Sequence, residues 1–167
     1  KWWSGKDEGQ TDALNKCLRA SKGEIIALIN SDDWYEPGAF KAVAEFFMTH
    51  PEAKVVMGNC NLTDREGNIF DVVVNHPRGF KELSQYWVGR SIPAQPAVFF
   101  KRELVYQHGF SNEALNFAMD YDLWMKFART EYFHYIDCTM ANYRFHDAAK
   151  NVDQDWSNCL PEWKKIS

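Results

Sequence analysis

The sequence has little that binds metal or takes part in redox chemistry through sulfur. Its four cysteines, Cys17, Cys60, Cys138 and Cys159, are scattered over 167 residues and form no C-x-x-C pair. That spacing excludes a zinc knuckle and a disulfide framework, and it fits reduced thiols in a cytosolic setting. There is no block of Lys or Arg either: 19 basic against 23 acidic residues leave a net charge of −4. Nucleic acid is therefore not an expected partner, because binding its backbone requires clustered positive charge. No apolar run approaches the roughly 18 residues that span a bilayer. No internal repeat, low-complexity tract or linker divides the chain. The opening Lys1-Trp2-Trp3 has neither a Met nor the character of a signal peptide.

What is abundant is aromatic: seven Trp, seven Tyr and twelve Phe, 16% of the residues. Such side chains fill cores, and they also line sugar-binding and nucleotide-binding surfaces. The length suits one domain with a sizeable core, spanning 1–167 with a polar tail from 151 onward.

Along the chain, Thr11 is placed to cap a helix whose apolar face holds Ala13, Leu14, Cys17 and Leu18, with Gly23 ending it. Ile25-Ile26-Ala27-Leu28-Ile29 is apolar at successive positions, as in a parallel strand buried on both faces. Pro37 opens a second helix with Phe40, Val43, Ala44, Phe47 and Met48 at helical spacing, closed by His50-Pro51. Lys54 to Leu62 is a strand, 64–68 a loop, and Ile69 to Val74 the return strand of a hairpin. Phe80 to Trp87 reads as a short helix, Ala97 to Phe100 as a strand, and Glu103 to His108 as a helix stopped by Gly109. A further helix starts near Asp120 and buries Leu123, Trp124, Phe127 and Ala128. Tyr132 to Ile136 and Met140 to Phe145 read as two short strands. The alternation predicts an α/β fold with a mainly parallel sheet flanked by helices.

The buried strand ends in Ser31-Asp32-Asp33. Ligands of open α/β sheets bind beyond the carboxyl ends of strands, where this acid pair sits. Successive strand residues point to opposite faces, so both carboxylates aim alike only if the chain bends there. Such a pair either opens into water as a turn or faces a hard divalent cation, Mg²⁺ or Mn²⁺, that carries a phosphate.

Several segments in order resemble one family. "DEGQTDALNKCLRASKGEIIALINSDDWYEPGAFKAVAEFF" is similar to the nucleotide-sugar half of family 2 glycosyltransferases with the GT-A fold, including their Asp-Asp (DxD-type) motif. "IPAQPAVFFKRELVYQHGF" resembles that family's Gln-Pro-Ala-x-Phe-Phe strand and following helix. "AMDYDLWMKFA" resembles its Glu-Asp-Tyr-Asp-Leu-Trp segment, with Met119 in place of the Glu, and "ANYRFH" its Tyr-Arg-x-His ending. The likeness covers Asp7 to about Asp147.

The resemblance implies an inverting, metal-dependent transfer of sugar from a nucleotide-diphospho-sugar to a saccharide or lipid-linked acceptor. It assigns Asp33 to the metal (Mn²⁺ or Mg²⁺) and Asp32 to the ribose, with His146 able to complete the metal site. A surface or edge histidine is the alternative for His146. Asp120 matches the general base, or it caps its helix; Asp122 is the fallback base, or it faces solvent or a helix neighbour. Gln95 matches a position near sugar or acceptor, or it is a loop amide bonding to backbone. Trp34 either stacks on a sugar face or packs internally. Asp7, Gly9 and Asp12 fall on the nucleotide side, or they form a tight turn and helix cap. His50, His76, His108 and His134 carry no motif and no assigned role.

Family members open with a strand, loop and helix that nothing here matches, so on the order of 60 or more residues are expected to precede this segment in a whole domain. A sheet without them would expose an edge that invites self-association. The family also implies a cytoplasmic location with peripheral contact to the inner membrane face. Two other functions stay open: a metal-dependent nucleotidyltransferase or phosphohydrolase using the acid pair, and a non-catalytic module binding nucleotide or saccharide.

Overall fold

The computed structural model describes residues 5–85, 92–146, 157 and 159–166. Helix α1 (Gln10–Ala20) begins after Gly9, whose φ of 132° is open to glycine alone, and ends at Ser21. Thr11 is thus inside the helix and not its cap. The buried face is Thr11, Asn15 and Leu18, with Cys17 exposed, so the face is rotated from the predicted one by its two polar members.

Strand β1 (Ile25–Ala27) leads through a turn to the two-residue β2 (Trp34–Tyr35), and α2 (Ala39–Thr49) follows. Ala39 and Val43 are the buried residues of α2, whereas Phe40 and Met48 are 61% and 81% exposed. Spacing alone allowed either of two overlapping apolar stripes, and the sheet selected the one carrying the smaller residues. The hairpin is β3 (Val55–Thr63) and β4 (Ile69–Val73), as expected. Then come α3 (Phe80–Ser84), a 3-10 turn over Gln95–Ala97, β5 (Val98–Lys101) and α4 (Glu103–His108). The predicted end of α3 at Trp87 lies outside the described residues. Helix α5 (Met119–Ala128), the long strand β6 (Phe133–Arg144) and α6 (Leu160–Ile166) complete the order.

The two short strands predicted over 132–145 are one. Asp137 to Thr139, which looked like a connection, cross a bulge where the β3–β6 register shifts around Gly58. A Cβ on Gly58 would stand 2.5 Å from the Cys138 carbonyl oxygen and against the Met140 side chain, so only glycine fits this crossing.

The sheet order is β1-β5-β3-β6-β2, with β4 pairing β3 beyond the end of β5. Only β3 and β6 run parallel; β1–β5, β5–β3, β3–β4 and β6–β2 are antiparallel. The expectation of a mainly parallel sheet is corrected to a mixed one. Unbroken apolar runs report burial on both faces, and burial is indifferent to the direction of the neighbouring strand. Both faces are indeed covered. Val55, Met57, Val98 and Phe100 pack with Leu104, Leu123, Trp124 and Phe127 on one side; Val56, Cys60 and Phe99 pack with Ala39, Val43 and Met140 on the other. At about 25 cal/mol per Å² of apolar surface removed from water, these two cores are the main source of stability.

Candidate active site

After β1 the chain turns, and the Asp33 N–H bonds the Asn30 carbonyl at 3.3 Å. The bend separates the two carboxylates. Asp32 Oδ2 lies 2.8 Å from Nε2 of His146, just past the end of β6. Asp33 turns inward: its Oδ1 accepts the Arg144 N–H at 3.0 Å, and its Oδ2 accepts from Asn30 Nδ2 at 3.2 Å. Burial pushes the Asp33 carboxyl up to about 6, with the Asp32 charge adding, while the donors from Arg144 and Asn30 hold it back. His146 therefore stands against Asp32, the acid assigned to the ribose. Asp33, the acid assigned to the metal, has both oxygens engaged by protein.

The Asp32 carboxylate is an oxygen donor of the kind a hard divalent ion takes. Asp32 and His146 meet directly at 2.8 Å, so an ion held by both would take the place of this hydrogen bond. Carboxylate oxygen suits Mg²⁺ or Mn²⁺, whereas imidazole is the softer donor of the pair. Among the described residues no group of three His, Cys, Asp or Glu side chains converges on one point. The remaining positions on an ion would fall to phosphate oxygens and water.

Trp34, the residue after the pair, is packed. The Arg144 guanidinium sits 4.8 Å over its ring, and the hairpin turn at Gly67 lies against the ring edge. Arg144 Nε is buried with no hydrogen-bond partner among the described residues. Behind the turn, Asn61 donates to Asn142 (2.9 Å) and Asn142 to Glu36 (2.7 Å), which fixes β2 on β6 and so the acid pair opposite His146.

The start of α1 reaches this corner. Asp7 Oδ1 accepts the Gly9 N–H, and Asp12 Oδ2 accepts the Glu8 N–H and Lys16 Nζ, so these three residues build the turn and helix start. Gln10 then donates to Asn30 at 3.0 Å, the same Asn30 that holds Asp33. One residue on, Thr11 Oγ1 donates to the Leu115 carbonyl at 2.7 Å. Asn15 donates to the Ser111 carbonyl and accepts its N–H. One helix end thus braces both the acid-pair turn and the segment leading into α5. Sequence reading assigned no role to Gln10 or Asn15. Their signal was two amides within a helix, one of them on its buried face.

Helix α5 carries Asp120 in its first turn. Asp120 is half-buried, and its Oδ1 accepts the Tyr121 N–H at 2.7 Å. Burial pushes its carboxyl up to about 6 against the pull of the Tyr121 and Asp120 N–H groups. Asp122 is buried and committed, with Oδ2 accepting Lys126 Nζ at 2.7 Å and the Asn112 N–H at 2.9 Å. Gln95 is buried at the start of the 3-10 turn, which packs on β3 and β6. The structure does not bring Gln95 into hydrogen-bond contact with the acids, Asp120 or His146. Glu162, on the tail that the sequence left without a role, accepts three backbone N–H bonds at the start of α5.

A model of the family described as Glycosyl transferase family 2 matches residues 3–109. The chain belongs to this family. Among its relatives, an uncharacterized glycosyltransferase of Methanocaldococcus jannaschii is 22% identical over 137 residues, covering 81% of this chain and 47% of that protein. Chondroitin synthase of Escherichia coli is 28% identical over 143 residues, 86% of this chain and 20% of its own length. The crystal structure of S. aureus TarS 1–349 superposes with a TM-score of 0.59 at 17% identity, covering 82% of this chain and 40% of that one. The same protein in complex with UDP-GlcNAc gives 0.61 at 16% identity over 84% of this chain and 40% of that one. At such identities the likeness speaks for the GT-A-like fold. This family 2 chain spans less than half the length of each of these proteins.

Proposed function

We propose that this chain carries the donor-binding and catalytic groups of an inverting, divalent-metal-dependent glycosyltransferase. It would move a sugar from a nucleotide-diphospho-sugar to a saccharide or lipid-linked saccharide acceptor in glycan synthesis. The observation that supports this best, beside family membership, is Asp120: a carboxyl raised to about 6 by burial in the first turn of α5. Such a group is ionised at neutral pH yet basic enough to take a proton in the transition state. Asp120 takes the proton of the acceptor hydroxyl as that oxygen forms its bond to the anomeric carbon. The bond from that carbon to the diphosphate oxygen breaks on the opposite face, and the nucleoside diphosphate leaves with the electron pair. Asp32 and His146 would hold the Mn²⁺ or Mg²⁺, whose charge would neutralise the leaving diphosphate. Asp33 fixes the turn that presents Asp32, through its bonds to Arg144 and Asn30. We place the reaction on the cytoplasmic side, with peripheral membrane contact where the acceptor is lipid-linked. No helix among the described residues is long and apolar enough to cross a membrane.

The test is incubation with Mn²⁺ and a panel of UDP- and GDP-sugars with saccharide acceptors, followed by mass spectrometry. Sugar transfer with release of nucleoside diphosphate is expected, and it is lost in Asp120→Asn while Mn²⁺-dependent UDP or GDP binding by calorimetry persists. Pyrophosphate release without sugar transfer would mark a nucleotidyltransferase and overturn the proposal.

A further inference from the structure

Helix α5 has no cap of its own. Its N-cap residue is Ala118, whose side chain offers no acceptor; inside the first turn the Asp120 carboxylate takes the Tyr121 N–H, and the N–H groups leading into the helix are left to find an acceptor. For residues 116–118, immediately before α5, that acceptor comes from a segment 44 to 46 residues further along the chain. Glu162 takes the N–H of Asn116 at 3.0 Å on one carboxylate oxygen, and those of Phe117 and Ala118 at 2.9 and 2.8 Å on the other. Burial would raise this carboxyl, but the three donors and the Lys165 charge outweigh it and hold Glu162 below the usual carboxylate range.

The position of Glu162 is itself built. The Cys159 carbonyl accepts the N–H groups of Glu162 and Trp163, and Cys159 is buried. The Trp163 ring meets that of Tyr121, the neighbour of Asp120, edge to face at 6.3 Å between centroids. Trp163 and Ile166 also pack against the core that holds Leu123, Trp124 and Phe127. The body of α5 is secured by those buried side chains, whereas the backbone entering it at 116–118 is held by Glu162. Asp120 lies in the first turn of α5, two residues beyond Ala118.

We propose that Glu162 is a positioning residue for Asp120: by tying the 116–118 backbone it sets the first turn of α5, and with it the direction and burial of the Asp120 carboxylate. This rests on the reading of Asp120 as the base. Lys165 is the charged side chain acting on Glu162. Among the described residues, Asp120 feels burial and the N–H groups of Tyr121 and itself, with no charged side chain contributing.

The test compares the full chain with Glu162→Ala and Glu162→Gln in two assays. Sugar transfer is measured with whichever UDP- or GDP-sugar the unaltered protein uses. Glu162→Ala is expected to lower kcat by about 10²-fold, the cost of a misplaced group near 1 Å off, with the donor KM little changed. Glu162→Gln retains an oxygen for Phe117 and Ala118 and is expected to recover most of kcat. Independently of activity, ¹³C-carboxyl NMR follows the Asp120 titration, assigned by its absence in Asp120→Asn. In Glu162→Ala its midpoint should fall toward about 4 as the turn frays and hydrates, and in Glu162→Gln it should stay near that of the unaltered protein. An unmoved midpoint in Glu162→Ala overturns the proposal, as does equal loss of kcat in both variants. If the unaltered protein transfers no sugar, the functional reading fails, and the titration still decides whether Glu162 positions Asp120.

Discussion

Replacing Asp120 by Asn should make the protein more stable and inactive at once. Folding moves the Asp120 carboxyl from 3.8 to about 6, and each unit is worth about 1.4 kcal/mol. A sealed site would therefore cost the ionised protein ~3 kcal/mol, and the solvent that reaches this half-buried side chain reduces this to about 1–2 kcal/mol. Asn keeps the shape and an oxygen for the Tyr121 N–H while removing the charge. The sign follows from linkage. The folded pKa is raised, so the native state binds more protons than the unfolded one between the two values, and stability falls as pH rises through that window. The gain from Asp120→Asn should therefore be largest above the folded pKa; near about pH 8 it should be about 1.5–2 times its size near about pH 4.5. Denaturant unfolding of both proteins at the two pH values measures it, beside a sugar-transfer assay. Equal stability of the two proteins at the higher pH would refute the argument, because it would mean the carboxylate is solvated in the fold.

Other outcomes follow from the same geometry. With Asp120 as base, kcat/KM should rise with pH through about 6 and level above it; a flat profile across that range would exclude this group. Asp32→Ala and His146→Ala should each weaken Mn²⁺-dependent UDP or GDP binding by about 10-fold or more in calorimetry, with little change in metal-free binding. Asn15→Ala removes a buried amide bonded both ways to Ser111 and should cost ~2–4 kcal/mol in denaturant unfolding. Gly58→Ala pushes a methyl group into the Cys138 carbonyl and Met140; it should destabilise by about 3 kcal/mol or prevent folding, and a neutral effect would show that the β6 bulge can relax.

Most elements were legible locally. The β3–β4 hairpin, α4 with its Gly109 stop, and the apolar face of α5 follow from turn residues and periodicity that act over a few positions. The face of α2 was not, because two stripes share Val43 and Phe47 and only contact with the sheet chooses between them. Strand direction was not legible either: Ile25 to Ala27 read as a parallel strand from its apolar run, yet β1 pairs β5 antiparallel. For Asp122 the sequence left a helix neighbour as the alternative to a site role, and the structure pairs it with Lys126 one turn on and with the distant Asn112 N–H.

By itself the sequence determined which residues are candidates for the chemistry. Asp32, Asp33, Asp120 and His146 lie in motifs whose order is a property of the chain. Only the tertiary structure decided what each of them touches. His146 meets Asp32 and not Asp33 because the turn after β1 bends the two acids apart and the Arg144 N–H of β6 claims the second. Gln10 and Thr11 link that turn to the segment before Asp120, and Glu162 reaches α5 from the far end of the chain. Hydrogen bonds between positions 20 to more than 100 residues apart have no local signature, since each partner alone is an ordinary polar side chain or backbone group.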